Sequence, residues 1–162
     1  DPVPSTPFLN LAIVQQKLGK IDAALSTFQA VLDKKPQSAD AFFGLGFCYF
    51  KKNDLEQSAR HFSLAIKQNP LFLDAYTNLG AVYEGLGKYA AAEECFQKAL
   101  ELNPKSARVY YNLEVLQEKQ ANPAAAIRCY EQAIALQYGR AEEAKRRVEQ
   151  LKQFLTRGAQ AS

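Results

Sequence analysis

Residues 73–106 read LDAYTNLGAVYEGLGKYAAAEECFQKALELNPKS. Apolar or small side chains recur at intervals of three and four, first in Tyr76, Leu79, Gly80 and Tyr83 and again in Ala92, Phe96, Ala99 and Leu100. That spacing gathers residues on one side of an α-helix, so the stretch predicts two amphipathic helices. Gly87 stands between them, where a helix ends in the left-handed conformation that Gly tolerates best. Pro104 closes the second helix because it lacks the N–H that further turns would need. The segment reads as a helical hairpin.

The same hairpin is written four times. Pro36, Pro70 and Pro104 are 34 residues apart, and segments 5–38, 39–72, 73–106 and 107–140 fall in register. An aromatic comes fourth in each (Phe8, Phe42, Tyr76, Tyr110) and Leu seventh (Leu11, Leu45, Leu79, Leu113). A small residue comes eighth in three of the four (Ala12, Gly46, Gly80), followed by a second small column (Ala24, Ser58, Ala92, Ala126) and an aromatic column (Phe28, Phe62, Phe96, Tyr130). Gly19 and Asn53 occupy the place of Gly87. Small residues let paired helices approach closely, and each aromatic fills the space opposite.

On these columns the chain resembles the tetratricopeptide repeat family, whose unit is a 34-residue helix–turn–helix. The resemblance covers roughly residues 5–157. It implies an all-α fold: a right-handed superhelical solenoid of four repeats, forming one domain. Residues 1–4 are expected to be an extended tail, which the three prolines up to Pro7 would prolong. After Gly139, the stripe Ala141, Ala144, Val148, Leu151 and Leu155 predicts a capping helix over 141–157, with 158–162 a flexible tail. Repeat four departs from the pattern, with Ala121-Asn122-Pro123 at its turn, Tyr138 in place of the closing Pro, and Glu114 in a close-approach column. A carboxylate there is expected to reach water or to pair with a base such as Arg146 or Arg147.

Composition excludes several function classes. The 162 residues are 48% apolar, and 20 Lys and Arg against 17 Asp and Glu leave +3. Residues 1–139 balance at fourteen of each sign, a poor start for nucleic-acid binding. No apolar run is long enough to insert in a membrane. The absence of Met and the start at Asp1 read as a piece of a longer or processed chain. Cys48, Cys95 and Cys129 match no metal spacing and are expected to be free thiols, favouring a reducing compartment such as the cytoplasm. His61 is the single His and reads as packed rather than ligating. Gly44-Leu-Gly46 and Gly85-Leu-Gly87 follow no strand, so no nucleotide loop is expected. The reading is of a chain without catalytic residues, metal or cofactor.

The resemblance also implies that the first helix of each repeat lines a concave groove. The groove residues on that basis are Leu9, Asn10, Ile13, Phe43, Phe47, Phe50, Lys51, Asn78, Glu84, Arg108, Tyr111 and Asn112. Phe42, Leu45 and Tyr49 serve the core of repeat two, whereas Phe43, Phe47 and Phe50 form a second stripe about 100° away. That stripe, with Leu9 and Ile13 beside it, is expected to take apolar side chains of a protein or peptide partner. Asn10, Asn78 and Asn112 share one column, interrupted by Gly44, and are similar to the asparagine ladder of the O-GlcNAc transferase repeat domain. Each amide offers a donor and an acceptor to an extended main chain. The carboxylate clamp by which some family members grip acidic chaperone tails is missing, because Phe43 and Phe47 occupy two of its positions. No binding of such tails is expected. The function expected is a non-catalytic protein–protein interaction module. Its alternatives are a scaffold forming homo-oligomers through its N-terminal face, or the substrate-recruiting arm of a larger protein such as a glycosyltransferase.

Overall fold

The computed structural model describes residues 5–136 and 141–160. Regular structure among them is helical throughout, in nine helices: α1 (Ser5–Lys17), α2 (Ile21–Lys34), α3 (Ala39–Lys51), α4 (Leu55–Gln68), α5 (Leu73–Gly85), α6 (Tyr89–Leu102), α7 (Ala107–Lys119), α8 (Pro123–Ala135) and α9 (Ala141–Gln160). The chain divides after Lys88 into two compact units, α1–α5 and α6–α9. The boundary lies inside the third repeat, between α5 and α6.

The hairpin turns obey the 34-residue register. Gly19, Asn53, Gly87 and Ala121 stand at equivalent positions, and all four have positive φ, from 54° at Ala121 to 74° at Gly19. The helix ends before the prolines have an equally local cause. Lys35 and Asn69 adopt φ of -135° and -136°, since a following Pro ring clashes with a helical residue before it.

In the unit Asp1–Lys88, α1 packs on α2, α2 on α3, α3 on α4 and α4 on α5. Ala24, Phe28, Val31 and Leu32 of α2 share one apolar cluster with Ala41, Leu45 and Cys48 of α3. The small columns act as the sequence implies. A Cβ on Gly46 would lie 2.7 Å from the Phe62 ring; outside those columns, in the place of the asparagines, one on Gly44 would lie 2.2 Å from the Phe28 ring. Each Gly costs about 1 kcal/mol of helix propensity, and the buried Phe it admits contributes roughly 1.5–3 kcal/mol. Packing therefore decides the helix. Ser58, in the second small column, is buried and donates its hydroxyl to the Gly46 carbonyl at 2.8 Å.

In the unit Tyr89–Ser162, α6 packs on α7, α7 on α8 and α8 on α9. Ala126, Ile127 and Tyr130 of α8 cluster with Ala144 and Val148 of α9, and Leu151 joins at the edge. Asn122 caps α8 by accepting from Ala125 N–H, and Pro123 begins the helix where a missing N–H costs nothing. Lys152 of α9 pairs with Glu131 of α8 at 2.9 Å.

Two boundaries differ from expectation. α1 takes in Ser5, Thr6 and Pro7, because Pro is compatible with a first helical turn. α9 runs to Gln160, three residues past the expected cap. The tail at 1–4, Tyr138 and the last two residues lie outside the described residues.

Candidate partner-binding surface

α3 can be accounted for side by side. Ser38 caps it by accepting from Ala41 N–H. Ala41, Leu45 and Cys48 are spent against α2. Gly44 and Gly46 receive the rings of Phe28 and Phe62. Tyr49 stacks on His61 of α4 with centroids 5.0 Å apart, and His61 Nδ1 lies 2.8 Å from the Gln57 carbonyl of its own helix. One flank remains, carrying Phe43, Phe47, Phe50 and Lys51.

That flank is not uniform. Phe43 stacks on Phe72 with centroids 4.8 Å apart and tilts against Phe62 at 5.4 Å, so part of its surface is already used inside the chain. Thr77, its equivalent in repeat three, is buried and donates to the Leu73 carbonyl at 2.9 Å. Further along, Phe47 is half-buried with Lys51 Nζ 5.3 Å above its ring. Phe50 is 41% exposed. A solvated aromatic pair beside a cation is what the packing leaves over.

The other expected groove residues separate by unit. Leu9 and Ile13 are half-buried at the edge of the α2–α3 cluster. Asn10 is exposed. Asn78 is half-buried and spends one donor on the Asp74 carbonyl of its own helix at 2.9 Å, while Glu84 lies half-buried later on α5. The interruption at Gly44 now has a cause, since the Phe28 ring fills the place of an Asn side chain. In the other unit, α7 carries exposed Arg108 and half-buried Tyr111 and Asn112.

α7 also carries a cluster that sequence reasoning placed differently. Glu114 is fully buried and neither of its oxygens has a hydrogen-bond partner. The expected base serves a neighbour instead. Arg147 Nε donates to Glu118 Oε1 at 2.8 Å and Nη2 donates to Oε2, while the Tyr130 hydroxyl donates its one proton to Glu118 Oε1 at 2.8 Å. Burial lifts Glu114 to about 8, and the charges of Glu118 and Glu143 add to the rise against the opposing influence of Tyr130 and Arg147. Arg147 holds Glu118 below the usual carboxylate range. Beside the ion pair lies an open cavity of about 440 Å³, lined by Ala121, Pro123, Leu151 and Phe154 among others. Phe154 stands three residues from Leu151 and off the stripe that predicted the cap, which is why periodicity alone passed over it. The visible signal was the coincidence of Glu114 and Tyr130 in columns that elsewhere hold small residues and Phe.

Cys48 and Cys95 are buried free thiols that burial pushes up to about 11. Among the described residues no cluster of His, Cys, Asp and Glu is arranged to hold a metal ion, and no helix is long and apolar enough to cross a membrane.

Tetratricopeptide repeat profiles match residues 9–71, 73–106 and 109–143. The chain belongs to the tetratricopeptide repeat family. Among solved structures, MamA is similar at 23% identity and a TM-score of 0.78, over 88% of this chain and 83% of that one. Pseudomonas aeruginosa PilF is similar at 19% identity and a TM-score of 0.82, over 91% and 67%. A chain of the APC/C hetero-tetramer Cut9–Hcn1 is similar at 22% and 0.82, over 92% of this chain and 30% of that one. These likenesses are of fold. Among curated protein sequences none matches. As a tetratricopeptide repeat chain, the molecule falls among protein–protein interaction modules.

Proposed function

We propose that this chain receives a peptide or helix of a partner protein along the first-helix face of its α1–α5 unit, with Phe47 and Phe50 as the apolar centre. The observation that carries this reading is the partial exposure of those two rings on a helix whose every other side is spent on packing. Lys51 beside them favours a partner with a carboxylate near its apolar anchor. Asn10, and the acceptor and second donor of Asn78, suit main-chain pairing on either side. The face is built from packed helices, so little ordering cost falls on the receptor. The protein acts by holding a partner rather than by transforming a substrate.

The test begins with a displayed library of random peptides panned on the whole chain, followed by titration of a selected peptide. Full burial of one Phe is worth roughly 1.5–3 kcal/mol, so Phe47→Ala/Phe50→Ala should weaken binding at least about tenfold. The melting temperature should move little. An acidic chaperone-tail peptide is the expected non-binder. Unchanged affinity in the double variant, or a large loss of stability without loss of affinity, would overturn the assignment of these rings.

A further inference from the structure

Another side of α3, away from Phe47, floors a cleft of about 490 Å³ between α2 and α4. Along α4 its wall is Gln57, Arg60, His61 and Leu64, whose spacing sets them on one face over two turns, about 10 Å of helix. Leu32 and Asp33 line it from α2, and Phe42 and Tyr49 from below. The volume is that of a small-ligand site, where apolar side chains and a few polar groups share one space. The cleft lies at the junction of the first and second repeats. Each repeat of a solenoid contacts only its neighbours, so chain preceding α1 would stack on the far side of repeat one and chain following α9 beyond repeat four. Neither would cover this junction.

The polar groups in the cleft are unevenly used. His61 packs one ring face on Tyr49, and its Nδ1 lies 2.8 Å from the Gln57 carbonyl. A carbonyl only accepts, so Nδ1 carries the proton, and Nε2 of the neutral ring is left as an acceptor. Among the described residues nothing donates to Nε2, and Arg60 forms no ion pair. Asp33, by contrast, accepts from Gln29 Nε2 at 3.3 Å. The unmatched groups are therefore one cation and one neutral acceptor, adjacent on α4 beside the apolar Leu32, Phe42 and Leu64. Their complement is an anion joined through an apolar ring to a hydrogen-bond donor. A ligand of opposite charge would meet Arg60 unfavourably, and a second negative charge would meet Asp33.

We propose that the cleft between α2 and α4 binds a small aromatic carboxylate that carries a hydrogen-bond donor on its ring. The ring lies against Leu32, Phe42 and Leu64, the carboxylate pairs with Arg60, and the donor meets His61 Nε2. Asp33 on the facing wall repels the carboxylate, which turns it toward α4. The site shares no side chain with the Phe47–Phe50 face, and either stands if the other fails.

The probe is para-hydroxyphenylpropionate, titrated into the isotope-labelled whole chain and followed by amide chemical shifts. Changes should concentrate at Leu32, Asp33 and Gln57 to Leu64, with a Kd on the order of 1 mM for a ligand of this size. Arg60 is exposed and His61 half-buried, so variants at both should keep the fold. Arg60→Gln should weaken binding at least about tenfold. Wild type should prefer the probe over phenylpropionate, which lacks the hydroxyl, by about fivefold. His61→Phe keeps a ring on Tyr49 but has no acceptor, and it should bind the two acids alike. Tyramine, with an ammonium in place of the carboxylate, should bind at least about tenfold more weakly than the probe. No shift at these amides up to roughly 20 mM would overturn the proposal. So would a hydroxyl preference that survives His61→Phe, undiminished binding by Arg60→Gln, or tyramine binding as well as the acid. Tighter binding of a peptide ending in tyrosine, which carries the same phenol and carboxylate, would overturn the small-ligand reading and assign the cleft to a partner's C-terminus.

Discussion

Glu114 stands where the other repeats have Ala12, Gly46 and Gly80, and its carboxyl lies buried among Tyr130, Glu118, Glu143 and Arg147 with no hydrogen bond. Because its folded-state value is raised to about 8, the folded chain keeps a proton that the unfolded chain releases near 4.5. Stability must then fall as pH rises through that window and level off above it. The full effect is on the order of 5 kcal/mol, enough to dominate the pH profile of the α6–α9 unit. Urea melts between pH 5 and 8.5 should show this decline, and Glu114→Gln, which cannot ionise, should flatten it; an undiminished slope in the variant would place its origin elsewhere. The lowered Glu118 works oppositely, but its contribution is lost below the usual carboxylate range and leaves this window clear. Gly44 makes the complementary point about space. A methyl group there would meet the Phe28 ring at 2.2 Å, so Gly44→Ala should cost about 1–3 kcal/mol in thermal unfolding despite the better helix propensity of Ala.

At the scale of the elements, the four hairpin turns ask the same φ of different residues. Ala121 at φ 54° pays about 1–2 kcal/mol for a left-handed conformation that Gly19 and Gly87 adopt without strain. Ala121→Gly removes that strain but loosens the unfolded chain by about 0.4–1 kcal/mol, so the net gain should be roughly 0.5–1 kcal/mol in urea unfolding of the α7–α8 hairpin. Unchanged or reduced stability would mean that the turn relaxes around Ala. The hairpins were legible in the sequence because each is a local decision: column spacing makes the helices, and the turn and Pro residues end them. The flank of α3 was legible only in part. Spacing put Phe43, Phe47 and Phe50 on one stripe, yet whether a ring meets solvent depends on where the linker after α4 returns, and Phe72 returns onto Phe43. Glu114 escaped for a similar reason. Sequence supplied Arg147 as a base within plausible reach, but Glu118 lies one turn further along α7 and claims the guanidinium.

Across the whole molecule the charge is uneven, with six cations and three anions after Gly139 against a balanced remainder. Three of those cations are engaged, Arg147 by Glu118, Lys152 by Glu131 and Lys145 by Glu142, which blunts the excess as an anion-binding surface. The pairs formed by Arg147 and Lys152 tie α9 to α7 and α8, while Ala144 and Val148 supply the apolar part of the same attachment. The Lys152–Glu131 pair is exposed and adds at most about 1 kcal/mol, and the two-point Arg147–Glu118 pair reaches α7 alone, whereas Val148 sits in the apolar contact with α8, so Val148 decides whether the cap stays docked. Val148→Asp should therefore release α9, seen as lost amide-exchange protection across Ala141–Gln160. Protection in α2–α4 should hold, since solenoid elements draw stability from near neighbours. The cap also sends Glu143 and Arg147 toward Glu114, so its release should admit water to that carboxyl and shrink the decline in stability between pH 5 and 8.5. Retained protection in α9 would show that the remaining contacts suffice. A released cap with the wild-type pH slope would show that α7 and α8 alone keep Glu114 dry.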